Sequence, residues 1–415
     1  MRKVISPRST DDSRWLTGKN SKLMKINRCI LLIIAVCCYT SISAQDTVQQ
    51  KKFTVTGYIS SLQSATFDSI QKNWVTENLI HNRLNFKWFP STNLSGALEV
   101  RNRLAFGENI KLNPNAASDY KKDYGLLNLT TNVFQGNSYL LNTSVDRFWL
   151  AYEKEKWKIT LGRQRINWSQ TWVWNPNDIF NTYSFFDFDY AERPGSDALR
   201  VQYNNSEVSI TELAIKMNSQ KQVTAAGYYK FNKWNYDFQL LGGVLNQTDY
   251  LIGAGWSGAI KRLAFRGEMS YFRPINHFSD TTGLFLASVA FDYTLGNSLT
   301  FMAEFLYCSH VATNLENFQT FYSAPLTVKN LSFVKYNLLL QATYPITPLL
   351  SGTLAGMYFP PIQGYYVGPS LSYSASDNIE FSFFLQSFGA HIKNELGEKQ
   401  KIRFNMVFLR AKFSF

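Results

Sequence analysis

Between Asn78 and Phe106 the side chains sort by parity. Ile80, Leu84, Phe86 and Trp88, then Leu98, Val100, Leu104 and Phe106, fall on one side, while His81, Arg83, Asn85, Lys87, Glu99, Arg101 and Arg103 fall on the other. A period of two with one apolar and one charged face predicts β-strands standing between hydrocarbon and water. The two runs are joined by a tight turn, Pro90 to Asn93.

The same alternation recurs along the chain. Further runs are read at about Phe53 to Ile59, Ser144 to Glu153, Trp157 to Trp168, Ala198 to Asn204, Glu207 to Lys216, Gln222 to Phe231, Trp234 to Leu245 and Tyr250 to Ile260. Others follow at about Leu263 to Arg273, Gly283 to Thr294, Ser298 to Ser309, Val334 to Tyr344, Leu349 to Phe359, Tyr365 to Ala375, Ile379 to Gly389 and Arg403 to Phe415. Most are near the nine to eleven residues a tilted strand needs to cross a bilayer. Every second connection is a short turn, among them Lys154 to Lys156, Asn232 to Lys233, Lys261 to Arg262 and Leu295 to Asn297, and the long connections fall on the other parity. The expectation is an all-β fold, a transmembrane antiparallel up-and-down β-barrel of about 18 strands. Sixteen is the alternative count, because residues 124 to 143 and the short run 198 to 204 are its weak points.

Composition agrees with a barrel and excludes helical spanning. Aromatic residues make up 16% of the chain, mean hydropathy is -0.20, and no run of 18 apolar residues occurs. Residues 24 to 44 read as an export signal: Lys25 and Arg28 precede the apolar stretch Cys29 to Tyr39, and Ser41 to Ala44 form a small-residue cleavage zone. Residues 1–44 are therefore expected to be an N-terminal extension and signal, with Met24 as the initiator, and residues 45–415 a single barrel. Three cysteines, Cys29, Cys37 and Cys38, fall within the signal, so Cys308 alone remains in 45–415 and no intramolecular disulfide forms there. Without residues 1–44 the formal charge of +12 falls to +6, with 34 basic and 28 acidic residues left. That excess is spread along the chain and not gathered into a stripe, so no nucleic-acid partner is expected.

The stretch 144 to 194 combines a hairpin with a long aromatic segment. Gly162, Arg163, Gln164, Trp168, Asn175, Pro176, Asp178 and Phe180 make a GRQ...W...NPxDxF pattern. It resembles the signature of porin-like bacterial outer-membrane β-barrels over about twenty residues. The resemblance implies a barrel in the bacterial outer membrane with a channel role and small solutes as its cargo, and it names no solute. The chain ends Val407, Leu409, Ala411, Phe413, Phe415, and a terminal Phe on an amphipathic strand resembles the signal read by the barrel-assembly machinery. Outer-membrane lipid and that machinery are the expected partners.

Candidate chemistry lies in the inward charges. Alternation turns Arg83, Glu99, Arg101, Arg103, Arg147, Arg200, Asp237, Arg266, Glu268, Glu304, Glu380, Arg410 and Lys412 toward the lumen, where opposed charges select ions by sign. They either filter solutes or satisfy one another across neighbouring strands. Arginine outnumbers acid on the first five strands, which leans the channel toward anions. Arg163 and Arg165 share parity with Ile159 and Leu161, so a bulge near Gly162 is expected to turn them inward. Trp172, Trp174, Asn175, Pro176, Asp178 and Phe180 would form a constriction folded into the lumen, or else a packed external lid. Catalysis is not expected: His81, His277, His310 and His391 lie apart without metal-ligand spacing, and no nucleophile or nucleotide-binding motif occurs. No cofactor is called for. The rival functional reading is a non-conducting barrel that exports or anchors surface polysaccharide, or binds a partner through its long loops.

Overall fold

The computed structural model describes residues 51–69, 72–182, 185, 192, 194–276, 278–279, 281–311, 327–393 and 399–415; the export segment and His277 lie outside them. Its strands are β1 (Phe53–Phe67), β2 (Val75–Trp88), β3 (Leu94–Gly107), β4 (Thr130–Gln135), β5 (Tyr139–Lys154), β6 (Trp157–Gln164), β7 (Ser196–Ser206), β8 (Ser209–Met217), β9 (Val223–Lys233) and β10 (Tyr236–Leu245). The series continues with β11 (Asp249–Ile260), β12 (Leu263–Pro274), β13 (Leu284–Thr294), β14 (Thr300–Cys308), β15 (Tyr336–Thr347), β16 (Leu350–Phe359), β17 (Gly364–Ser376), β18 (Ile379–Lys393) and β19 (Lys399–Ser414). All but β4 form one closed antiparallel wall of 18 strands, each beside its sequence neighbour. The ring closes where β19 pairs with β1, and Gly57 and Phe415 exchange both backbone hydrogen bonds at 2.8 and 2.9 Å. Closure leaves no open edge in the ring itself among the described residues, as hydrocarbon surroundings demand.

The outer face is greasy all the way round. Ile80, Leu98, Phe148, Leu161, Leu213, Leu240, Ile252, Leu340, Leu354 and Leu409 are exposed there. Trp88, Tyr152, Trp157, Trp234 and Tyr344 stand beside the short turns, where an aromatic girdle belongs. Trp234 and Asn235 both take positive φ (55° and 61°), the geometry of a two-residue hairpin turn. Asn82, Asn102 and Thr143 meet on this outer face in register: Asn102 donates to Asn82 at 3.2 Å and Thr143 to Asn102 at 2.8 Å. Facing lipid, they satisfy one another.

The strand count from alternation agrees with the wall, but several boundaries do not. β1 runs on to Phe67, past the expected end at Ile59, because Leu62 pairs with both β2 and β19 and Phe67 still pairs with β19. β6 stops at Gln164, four residues short of Trp168. The doubtful stretch 124 to 143 holds both the start of β5 and the extra strand β4, which pairs only with β5 among the described residues. The connection 246–248 is as short as the turns at the opposite end, so alternation of loop length fails there.

Two of these departures share one cause. With β6 so short, the edge of β5 from Tyr139 to Ser144 would lack a partner, and β4 takes it by pairing with Leu140 to Ser144. Short helices α1 (Glu108–Leu112) and α2 (Ala116–Lys121) lead into this patch. Beyond it, Gly125 bridges to Asn218 after β8. Residues 123–135 thus close the wall above β6 and β7.

Candidate functional site: the lumen and its infolded segment

Past Gln164 the chain turns into the barrel. Residues 165–182 cross the inner face of alternate strands, held at each step by an inward side chain. The Trp168 indole N–H donates to Glu212 of β8 at 2.9 Å, and Gln239 of β10 donates to the Trp168 carbonyl at 2.9 Å. Thr171 donates its hydroxyl and its N–H to Glu268 of β12. At the tip, the backbone N–H groups of Trp172, Val173 and Trp174 all donate to Glu304 of β14 at 3.2, 2.9 and 2.8 Å. The returning limb is tied by Asn177, which donates from its backbone to Glu268 and from its side chain to the Ala254 carbonyl. Asn181 closes the base, accepting from Ile166 N at 2.9 Å. In residues Asn175 to Phe180 the motif packs inward: Asn175, Pro176, Asp178 and Phe180 are buried, and Trp168 stacks on Tyr228 and meets Phe180 edge-on.

Apolar packing completes this side of the lumen. Inward residues Leu286, Leu306, Leu339, Met357, Phe359, Tyr366 and Phe388 join Ile166, Trp168, Val173 and Ile179 of the segment and Val328, Leu331 and Phe333 before β15 in one buried cluster. Trp172 is the exception. It is 47% exposed, and the Arg266 guanidinium sits over its ring at 4.4 Å.

The opposite side holds a charge network. Arg83, only 1% exposed, pairs with Glu99 and Asp146 and lies 3.8 Å from Glu192, to which Tyr58 donates at 3.0 Å. Arg101 meets Asp146 at 3.2 Å, and Arg147 donates to the Asp146 carbonyl at 2.8 Å. Asp146 joins them through a bulge: Glu99 faces Arg147 while Val100 faces Val145, so Asp146 is the extra residue and turns inward. Strict alternation sends Asp146 outward, and no local signal announces the bulge.

Elsewhere the inward charges sit in pairs. Arg200 grips Glu212 at 2.7 Å, Arg266 meets Asp292 at 2.8 Å, Asp237 meets Lys230 at 2.8 Å, and Arg410 meets Glu380 at 2.8 Å. Arg103 donates to Asn142 at 3.1 Å with Tyr120 stacked at 4.6 Å, and Lys412 lies over the Tyr58 ring at 4.4 Å. Glu212 and Asp292 were legible by parity with their apolar neighbours, though no charge motif marks them.

Arg163 departs from expectation. No register shift occurs in β6; Gly162 instead adopts φ +115°, and a Cβ there would strike the Phe148 carbonyl. Arg163 does not turn into the lumen. It fills the wall gap above β6, its guanidinium forked between Asp197 (2.6 Å) and Asp123 (2.9 Å) and donating to the carbonyls of Leu127 and Val145. Gly125 lies flat against it, leaving no room for a side chain. Burial pushes the Asp123 carboxyl upward, but hydrogen bonds from Arg163, Gly125 and Leu129 outweigh that and hold its pKa below the usual value. Arg165, just beyond β6, is exposed.

Among the described residues no group of histidine, cysteine and acidic side chains is arranged to hold a metal ion. No protein-family model and no curated protein sequence matches the chain. Solved structures do match. OccK8 (OprE) of Pseudomonas aeruginosa aligns with a TM-score of 0.57 at 8% identity, over 88% of this chain and 98% of that one. OpdO of the same organism gives 0.57 at 8% identity over 88% and 97%, and OccAB1 of Acinetobacter baumannii 0.56 at 9% over 88% and 97%. The likeness is one of fold.

Proposed function

We propose that the protein is an outer-membrane channel for passive, partly selective diffusion of small hydrophilic or amphiphilic solutes, and that segment 165–182 is its constriction. The observation that carries this is the inward course of that segment, pinned to four wall strands while Trp172 and Arg266 remain at its surface. A barrel serving only as an anchor has no need to line a narrowed lumen with a stacked indole and guanidinium. The fold shared with OccK8 (OprE), OpdO and OccAB1 agrees. Exposed aromatic surface beside arginine suits a solute with both apolar and anionic parts. Any preference for anions is mild, since Arg83, Arg101, Arg200, Arg266 and Arg410 each have an acidic partner. Phe415, sealing the seam, serves as the assembly signal.

Planar-bilayer recording tests the reading. Stepwise single-channel currents are expected, with a small anion-directed reversal potential under a salt gradient. A folded barrel that stays silent would instead favour the anchor or polysaccharide reading, and liposome swelling with sugars, amino acids and organic acids would sort the solutes.

A further inference from the structure

Glu268 and Glu304 are two of the acids that alternation turns toward the lumen, yet they are 1% and 2% exposed. No solute in an aqueous lumen touches a carboxylate covered so fully. Their oxygens are instead occupied by the infolded segment. Trp172, Val173 and Trp174 belong to no helix or strand, so their amides have no ladder to join. Glu304 accepts all three, and Ser288 of β13 donates to it at 2.9 Å from the wall side. Glu268 takes Thr171 on the outgoing limb and Asn177 on the returning one, so it clamps the two limbs together. A carboxylate offers acceptors only, and for that reason one group can gather several N–H donors.

We propose that Glu268 and Glu304 are positioning residues, a latch that holds the infolded segment against β12 and β14 and thereby sets the aperture where Trp172 meets Arg266. The proposal rests on the channel reading above. An amide in place of either carboxylate would present an NH2 group to donors and lose half its acceptors, so Glu304→Gln releases the tip without disturbing the wall ladder between β13, β14 and β15.

The test places a reporter under the latch. Val173, 8% exposed, becomes a thiol in the double variant Val173→Cys, Cys308→Ser, and a charged methanethiosulfonate reagent reads its accessibility in the intact barrel. Protection is expected with Glu304 present, and modification at least tenfold faster after Glu304→Gln or Glu268→Gln. Bilayer recordings of the same variants should show larger, noisier open levels with little change in reversal potential. Heat-modifiable gel mobility checks that each barrel is closed; should Glu304→Gln fail to assemble, Glu268→Gln carries the same comparison. An unchanged labelling rate together with a shifted reversal potential would overturn the latch and return both acids to the role of selectivity charges. Faster labelling in a barrel that never conducts would keep the latch and sink the channel reading instead.

Discussion

The inner wall is made of two materials. On the arc of β1, β2, β3 and β5, inward positions carry Arg83, Glu99, Arg101 and Asp146, which neutralise one another side chain to side chain. On the arc from β13 to β18 they also carry Leu286, Leu306, Leu339, Met357 and Phe388, and residues of 166–180 and 328–334 join them in one buried cluster. Inward therefore does not mean wet. Alternation says which side of the wall a residue occupies, whereas its surroundings there depend on what the long loops bring in.

The sharpest way to break this contrast is to remove one member of the charged arc. Arg83→Met leaves Glu99 and Asp146 without their shared partner, Arg101 alone still pairing with the Asp146 carboxylate in the ion pairs described above. Breaking a buried pair from one side costs about 3–5 kcal/mol. Urea unfolding followed by heat-modified gel mobility should show a marked drop in midpoint; a midpoint within experimental scatter would mean the network contributes nothing to the fold.

Next in size is the wall patch. Arg163→Lys keeps the charge but loses the fork that spans Asp123 and Asp197, for a loss of about 2 kcal/mol. Because the patch is a local element outside the ring, the loss should surface as faster proteolysis within residues 122–130, by more than tenfold at about 1.4 kcal/mol per decade, with the global midpoint little changed. A global effect with no local cleavage would show that the patch is integral to closure.

For the apolar arc, Phe388→Leu trims a ring stacked between Phe359 and Phe404. About 1 kcal/mol is expected, as for a swap that nearly conserves volume, and bilayer reversal potential should not move. A shift in ion selectivity would show that this side of the lumen is wetter than the packing indicates.

The smallest expected effect is in pH. The Asp123 pKa is lowered in the folded protein, so its contribution is complete above the ordinary aspartate value of 3.8 and is lost as pH falls below it through the depressed value. Amide exchange of residues 123–129 should stay constant between pH 5 and 7, after correction for intrinsic rates, and accelerate below pH 4. Constant protection at low pH would remove Asp123 from the clamp.

The strand wall was legible in the sequence because a period of two is a local property: each run declares its faces, though not always its ends, as β1 and β6 show. Eighteen crossings and the inward parity of Arg83, Arg101, Glu268 and Glu304 followed from that alone. Asp146 was not legible, since a bulge is written in the register between two strands and not in either one. Nor was the place of Arg163, which lies in the plane of the wall, a location that a two-sided pattern does not contain. The aromatic segment running into NPxDxF announced something irregular, and only the assembled barrel decided that the amides of Trp172, Val173 and Trp174 would take Glu304 as their acceptor. Alternation comes from the geometry of a single strand, so one strand suffices to read it. A buried carboxylate gathering amides from a loop some 130 residues away exists only after the ring has closed and brought the two together.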